Sequence, residues 1–518
     1  MADNLYIDTR GRAEEAVPFT QAVVGGLAPG GGLYVPERIP HLELSDIVAL
    51  ARLPYAQRAA SIYKAFDVDL PDATVDALME QAYGDAFDDE RVCPVTSIDE
   101  NTHVLELWHG PTSAFKDMAL QCLPRFFSAS AAQLRTQGLL DHEFLILVAT
   151  SGDTGKAALE GFRDVEGVRI GVLYPHGGVS DIQYKQMATQ RGGNVQVWGV
   201  RGNFDDCQTG VKAAFSDEKF AARLLREHGI ALSSANSINW GRLLPQVVYY
   251  VSSYAQLVAD GKLEAGRPLD VCVPTGNFGN ILAAWYAKQV GTPIGTLLCA
   301  SNENRVLTDF IDTGFYEIRT RPFVLTASPS MDILVSSNLE RQLFELTGRD
   351  AHAIASWMDD LRRDKAFRVD DGTLARLREC FRAGSADTRS CLATIREVYE
   401  GCGYLLDPHT AVAWNVAQRL RGDNPVLVAS TAHWAKFGAN VYRALHGLAP
   451  GEALPAEVGA LSGCELNELV AREAGEAAGA VPRGLAELDA LPIRFSEVID
   501  GGVDDIEAAT VAFLRARG

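Results

Sequence analysis

Short apolar runs alternate with helix-like segments along most of this chain. Uninterrupted apolarity, rather than strict alternation, indicates strands buried on both faces. Each run ends in a loop of small residues and is followed by a helical pattern, which predicts parallel sheets with right-handed crossovers. The predicted strands are residues 144–149, 168–174, 194–200, 269–274 and 426–431, with helices predicted over 180–189 and 281–290. The pattern therefore predicts an α/β fold in which two parallel-sheet units are interleaved.

Changes in composition divide the chain into three parts. Residues 1–92 contain a glycine-rich turn at 25–32 and helix-like segments, which indicates a small N-terminal domain. Residues 93–450 hold the alternating pattern, and we predict two subdomains there, the smaller at roughly residues 130–240. Residues 451–518 are rich in Ala, Glu and Gly, which predicts a helical C-terminal extension.

Charge and cysteine content exclude several classes of partner. The 518 residues include 47 Lys and Arg against 67 Asp and Glu, a net charge of -20 that disfavours nucleic acids and anionic membranes. No uncharged apolar run approaches the roughly 18 residues of a membrane span. Nine scattered cysteines without a C-x-x-C pair and an acidic N-terminus predict reduced thiols in a cytoplasmic protein. An anionic ligand must therefore be bound locally, by backbone N–H groups and a few cations.

The loop Thr275–Asn280 is the best candidate for such an anion site. Its glycines allow close backbone approach, the helix that follows supplies N–H groups, and the side chains of Asn277 and Asn280 are further donors. An ordinary turn between a strand and a helix is the alternative. The spacing matches neither a P-loop nor a dinucleotide-binding pattern, and no His/Cys cluster indicates a metal site.

Lys116 is one of only ten lysines and lies in a turn-forming, weakly polar stretch. A desolvated lysine deprotonates more readily, so its amine can attack a carbonyl and form a Schiff base. A surface lysine is the alternative. A Schiff-base lysine together with a phosphate-binding loop matches a phosphorylated aldehyde cofactor, and we therefore predict pyridoxal 5'-phosphate.

The segment Asn236–Arg242 places polar donors and a guanidinium within seven residues. Such a group can hold a second phosphate or a carboxylate. A polar turn that caps a helix is the alternative for this segment.

Several longer motifs follow one another along most of the chain. They are Gly26–Ala28 and Gly31–Pro36, HGPTSAFKD at 109–117, TSGDTG at 150–155, NSINWGR at 236–242, PTGNFGN at 274–280 and STAHWAKF at 430–437. Together and in this order, these motifs resemble those of the threonine synthase family, whose members are pyridoxal-phosphate enzymes of the tryptophan-synthase-β-like fold (fold type II). The sequence departs from the family's pattern at Asp153, where related enzymes often have Asn, and at Trp434, where many have Pro.

The resemblance implies a role for each matching residue. Lys116 forms the Schiff base with the cofactor, and Thr431 bonds the pyridine nitrogen. Asp153 lies near the cofactor's 3'-oxygen. The cofactor phosphate is held by Gly276, Asn277, Phe278, Gly279 and Asn280, the substrate carboxylate by Thr150, Ser151 and Thr154, and the substrate phosphate by Asn236, Ser237 and Arg242.

The activity implied by the resemblance is that of a carbon–oxygen lyase in threonine biosynthesis. It converts O-phospho-L-homoserine and water to L-threonine and phosphate, by γ-elimination and then addition of water at Cβ. We expect a monomer or homodimer that needs no metal. A diverged paralogue could use the same cofactor on another phosphorylated or β-substituted amino acid, and a catalytically silent phosphate-sensing or scaffold protein is the alternative from a different class.

Overall fold

Two sheets organise the protein, whose computed structural model describes residues 4–516. Five of the strands coincide with the predicted apolar runs, and most of the strands are short. They are β1 (Tyr6–Asp8), β2 (Tyr34–Pro36), β3 (Val95–Ser97), β4 (Thr102–Glu106), β5 (Glu143–Ala149), β6 (Val168–Pro175), β7 (Val195–Arg201), β8 (Ile230–Ser233), β9 (Leu269–Pro274), β10 (Ile294–Ser301), β11 (Phe315–Glu317), β12 (Ala366–Arg368), β13 (Phe381–Ser385), β14 (Val426–Ser430) and β15 (Val498–Asp500).

Helices connect and cover these strands. Among the helices between residues 4 and 516, none has both the length and the apolar character that crossing a membrane requires. The helices are α1 (Phe19–Gly25), α2 (Leu44–Ala49), α3 (Tyr55–Ala65), α4 (Asp72–Tyr83), α5 (Lys116–Leu120), α6 (Leu123–Thr136), α7 (Asp153–Gly161), α8 (Asp181–Ala188), α9 (Phe204–Ser216), α10 (Glu218–His228), α11 (Trp240–Ala259), α12 (Gly279–Val290), α13 (Val306–Thr313), α14 (Leu339–Leu346), α15 (Ala351–Asp364), α16 (Asp371–Cys380), α17 (Thr388–Cys402), α18 (Pro408–Leu420), α19 (Gly438–Leu445), α20 (Ala456–Gly459), α21 (Gly463–Ala474), α22 (Arg483–Ala486) and α23 (Val503–Arg515).

The larger sheet has six strands in the order β13-β10-β9-β14-β4-β3. All its neighbours are parallel except β3 and β4. Every residue of β9 and β14 is buried, as the continuous apolar runs predict for strands covered on both faces. The two faces of this sheet belong to different buried apolar clusters, with Val271 in one and Cys272 in the other.

The smaller sheet has five strands in the order β15-β7-β6-β5-β8, all parallel. Because β5 to β8 lie in the chain between β4 and β9 of the larger sheet, the two units are interleaved, and the predicted α/β fold class is confirmed. The C-terminal stretch that we predicted as helical also contains β15, which pairs with the edge of β7. The domain boundaries at residues 92 and 450 stay predictions.

Helix α11 links the N-terminal region to the core. It runs for 20 residues, and nearly all of them are buried. Its first residue, Trp240, contacts the rings of Tyr6 and Tyr286 at centroid distances of 5.7 and 5.2 Å. Arg10 adds an ion pair of 2.7 Å to the largely buried Glu340 in α14. The N-terminal region therefore supports the helices that surround the candidate site.

Candidate active site

A cavity of about 320 Å³ lies at the carboxyl ends of strands from both sheets. Open parallel sheets commonly bind ligands at this edge, because loops from several strands meet there. The cavity wall includes thirteen of the predicted site residues, and Asp153 joins them through its contact with Lys116. The thirteen are Lys116, Thr150, Ser151, Thr154, Asn236, Ser237, Arg242, Gly276, Asn277, Phe278, Gly279, Asn280 and Thr431.

Lys116 begins α5 and is buried in the cavity wall, which excludes the alternative of a surface lysine. Its Nζ lies 3.4 Å from Oδ2 of Asp153 and 3.1 Å from Oγ of Ser330. Burial lowers the pKa of Lys116, Asp153 opposes this shift, and the charges of Lys436 and Arg242 lower the pKa further. The amine is thus more readily deprotonated than an ordinary lysine.

Asp153 begins α7 and is held from both sides. Its Oδ1 accepts hydrogen bonds from Gln183 Nε2 and lies next to Lys436 Nζ, each at 3.0 Å. Its Oδ2 faces Lys116 and accepts from Ser330 Oγ at 3.2 Å. Burial raises the pKa of this carboxyl, but Lys436 and then Lys116 outweigh burial and hold the pKa well below its usual range. Asp153 is therefore an ionised carboxylate.

The glycine-rich loop joins β9 to α12 and has the geometry of an anion site. Phe278 adopts a left-handed conformation with φ of 61°, and the first N–H groups of α12 have no partner within the helix. Oδ1 of Asn280 accepts from the hydroxyls of Tyr249 and Tyr250, whereas its buried Nδ2 donates to no described group. The side chain of Asn277 is exposed, so of the two predicted amide donors only Asn280 is fully buried.

Arg242 is a buried cation without an acidic partner among the described residues. Its Nη1 donates to the carbonyl of Ala235 at 2.7 Å, and its buried Nε has no partner. Burial alone lowers the pKa of Arg242 from 12.5 to about 10. A desolvated guanidinium that faces a cavity with a free donor favours an anionic ligand. Asn236 and Ser237 lie in the same wall, and the carbonyl of Ser237 accepts from Asn338 at 3.1 Å.

The loop after β5 is stabilised by its own first residue. Oγ1 of Thr150 accepts from the N–H groups of Gly152 at 3.0 Å and Gly155 at 2.8 Å, which holds the turn into α7. Ser151 and Thr154 line the cavity beside it. On the opposite sheet the carbonyl of Thr431 accepts from Phe115 at 2.8 Å, which ties the end of β14 to the turn before Lys116.

Several residues of the site were missed at the sequence level. Ser330 lies in a short 3-10 turn, Pro329–Met331, and its N–H donates to Nε2 of His409 at 3.1 Å, while Nδ1 of His409 contacts Asp407 at 2.8 Å. No local pattern marks these residues. Lys436 belongs to the STAHWAKF motif, and the scarcity of lysines is a signal that could have identified it. Helix α9 adds Phe204, Gln208 and Lys212 to the wall.

The chain matches two family profiles and several known proteins. The profile "Threonine synthase N terminus" matches residues 5–83, and "Threonine synthase, C-terminal" matches residues 410–478. The threonine synthase-like 1 protein of Macaca fascicularis is 44% identical over 436 residues, which cover 82% of this chain but only 58% of that protein. The chain thus spans little more than half of that relative.

Two further relatives match over nearly their whole length. The threonine synthase of Pseudomonas aeruginosa is 40% identical over 463 residues, or 88% of this chain and 92% of that protein. The crystal structure of a threonine synthase from Brucella melitensis with bound pyridoxal phosphate is 36% identical and has a TM-score of 0.85, covering 99% of this chain and 100% of that one. Sequence and structure agree over most of the chain, which therefore belongs to the threonine synthase family.

Proposed function

We propose that this protein is a threonine synthase that uses pyridoxal phosphate to convert O-phospho-L-homoserine and water to L-threonine and phosphate. The observation that supports this most directly is the pairing of two groups in one cavity. Lys116 is a desolvated amine suited to bind an aldehyde, and Arg242 is a desolvated guanidinium that lacks an acidic partner among the described residues. A phosphorylated amino acid that reacts at Lys116 would supply the missing anion.

The residues present fit the cofactor. Lys116 would hold its aldehyde carbon, and the loop from Gly276 to Asn280 would hold its phosphate, using the N–H groups at the start of α12 and the unpartnered Nδ2 of Asn280. Thr431 would supply a hydroxyl to the ring nitrogen. When bound, pyridoxal phosphate withdraws electron density from the substrate carbons beside the amino group.

The substrate would lie between two polar regions of the wall. We assign its phosphate to Arg242, Asn236 and Ser237, because a guanidinium with a free Nε forms charge-assisted hydrogen bonds to phosphate oxygens. Its carboxylate would be held by Thr150, Ser151 and Thr154 at the loop after β5. The positive end of α7, which begins at Asp153, favours a carboxylate at this place.

The reaction removes a phosphate from Cγ and adds the elements of water. The Cγ–O bond breaks and phosphate leaves with the bonding electrons, Cγ gains a proton and becomes the methyl group, and a water hydroxyl adds at Cβ. Protons must also leave and return at the neighbouring carbons. Lys116 is the group placed for these transfers, because its lowered pKa leaves more of the amine in the free-base form. Arg242 would hold the leaving phosphate.

Simultaneous detection of phosphate and threonine tests this proposal. We expect equal amounts of both after O-phosphohomoserine is added to the purified protein with cofactor, and neither from Lys116→Ala. Phosphate with a different organic product would instead identify a diverged paralogue, a possibility raised by the match to threonine synthase-like 1. If neither product forms, the substrate assignment is wrong. A protein that does not bind the cofactor at all would support the scaffold alternative.

A KM and kcat comparison tests the phosphate assignment separately. Arg242→Lys keeps the positive charge but loses the planar guanidinium donors, so we expect bound cofactor to be retained and KM for the substrate to rise. Kinetics like those of the wild type would remove Arg242 from the site. A cytoplasmic location and a monomeric or homodimeric state stay predictions of the sequence.

A further inference from the structure

A second buried lysine lies next to the acid that faces Lys116. Lys436 follows β14 in a short 3-10 turn, Trp434–Phe437, and its side chain is 0% exposed. Its Nζ lies 3.0 Å from Oδ1 of Asp153 and donates to the carbonyl of Thr112 at 2.8 Å and to Oε1 of Gln186 at 3.1 Å. These three acceptors match the three N–H donors of a lysine ammonium group.

The two oxygens of Asp153 have different surroundings. Oδ1 contacts Lys436 and Gln183, and Oδ2 contacts Lys116 and Ser330. Gln183 is fixed in turn, because its Oε1 accepts from the N–H of Ser180 in the capping box of α8. The carboxylate is therefore held in one orientation, with the amino group of Lys436 on one side and Lys116 on the other.

This arrangement resolves a conflict in the site. A carboxylate 3.4 Å from Lys116 favours the protonated nitrogen, whereas an amine that accepts protons must be neutral. Lys436 lies next to Oδ1, the other oxygen of Asp153, and offsets the negative charge of the carboxylate. Asp153 therefore favours the protonated form of Lys116 less strongly. We propose that Lys436 is a positioning residue, which acts through Asp153 to reduce the proton affinity of the nitrogen on Lys116. The proposal rests on the proposed cofactor but not on the identity of the substrate.

Other charges face the same group and must stay constant in a test. Arg242 lowers the pKa of Lys116, and His409 contributes to the low pKa of Asp153. The buried Asp117 also faces Lys436; burial raises the pKa of Asp117, and Lys436 lowers it. None of these three residues is changed in the variants below. Lys156, one turn beyond Asp153 in α7, offers a matched control, because it is also largely buried but pairs with Glu160 at 3.1 Å.

The experiment is a pH titration of the Schiff-base absorbance in cofactor-loaded protein without substrate. Lys436→Met removes the cation that offsets the negative charge of Asp153. We therefore expect the pH midpoint of the Schiff-base titration to rise by about one pH unit or more. Asp153→Asn removes the carboxylate but keeps the cation, so the midpoint should fall by a similar amount. The double variant should return to near the wild-type midpoint, and Lys156→Met should leave the midpoint unchanged.

The opposite signs of the two single shifts distinguish this role from a structural one. Midpoints that do not move, or that move in the same direction in both single variants, would overturn the proposal. If Lys436→Met does not fold, a midpoint in Asp153→Asn that fails to fall has the same consequence.

If a variant no longer binds the cofactor, the role of Lys436 can still be tested. Lys116 can then be titrated in the cofactor-free proteins, by following the pH dependence of its acylation rate by peptide mass spectrometry. The same pattern of shifts is expected there, and its absence would again refute the role of Lys436. Failure of threonine production alone leaves these titrations unaffected.

Discussion

Replacing Arg242 by methionine should separate the stability of the protein from its ability to bind phosphate. Burial lowers the pKa of Arg242 from 12.5 to about 10, which corresponds to a penalty of about 3 kcal/mol on the charged group. The variant loses the hydrogen bond to the carbonyl of Ala235, whose unsatisfied oxygen costs about 1–3 kcal/mol. We therefore expect Arg242→Met to unfold at a temperature equal to or above that of the wild type in phosphate-free buffer.

Inorganic phosphate should make the unfolding temperature of the wild type higher than that of Arg242→Met. A ligand at 100 times its dissociation constant stabilises the folded state by about 2.7 kcal/mol. Because the wild type has the free Nε and the variant does not, phosphate should raise the unfolding temperature of the wild type alone. The assay is thermal unfolding of cofactor-loaded protein with and without phosphate, so that the loop at Gly276–Asn280, the proposed site of the cofactor phosphate, is not open to the added phosphate.

Arg58 provides the matched control. It is also buried, although less deeply, and its guanidinium donates to the carbonyls of Leu53 and Ala51 and to the hydroxyl of Ser252. Arg58→Met should therefore lower the unfolding temperature and leave the response to phosphate intact. If Arg242→Met is clearly destabilised, or if phosphate stabilises it as much as the wild type, the reasoning about an unpaired buried cation is wrong.

Two further predictions concern the pH dependence of the unfolding free energy and the backbone packing of the glycine-rich loop. Burial lowers the pKa of His109, but hydrogen bonds to Asp88 and Glu106 outweigh burial and raise it to about 9. The stability that this pairing contributes is fully present below about pH 6.5 and is lost as the pH rises through 9. His109→Gln should therefore flatten the curve of unfolding free energy against pH between these two values. An unchanged slope in the variant would contradict this prediction. A Cβ on Gly276 would lie 2.7 Å from the carbonyl of Ser330, so Gly276→Ala should weaken cofactor binding in an equilibrium titration, whereas Gly422→Ala, which has open space, should not.

Five strands could be predicted from the local sequence. Continuous apolarity identified β5, β6, β7, β9 and β14, because strands buried on both faces leave no room for polar positions. The predicted start of the helix at residue 281 was two residues late, since Gly279 and Asn280 form the first turn of α12. Helix starts after a glycine-rich loop are hard to place, because glycine is a poor helix former.

Residues that act through distant partners had no such signal. β15 joins β7 across about 300 positions of chain, and its three residues differ little from the polar, helix-rich stretch around them. Ser330 reaches Lys116 from a single 3-10 turn, Pro329–Met331, whose backbone is hydrogen-bonded to the distant His409. Contacts of this kind depend on the path of the whole chain and leave no periodic pattern.

The sequence by itself determined the fold class and the small-residue loops, because these follow from local hydrophobicity and backbone chemistry. Only the tertiary structure decided the electrostatics. It left Nε of Arg242 and Nδ2 of Asn280 buried without partners, and it placed Lys436 against Asp153. The physical reason is that desolvation and charge pairing depend on distances between atoms from remote segments, and the order of residues along the chain does not specify those distances.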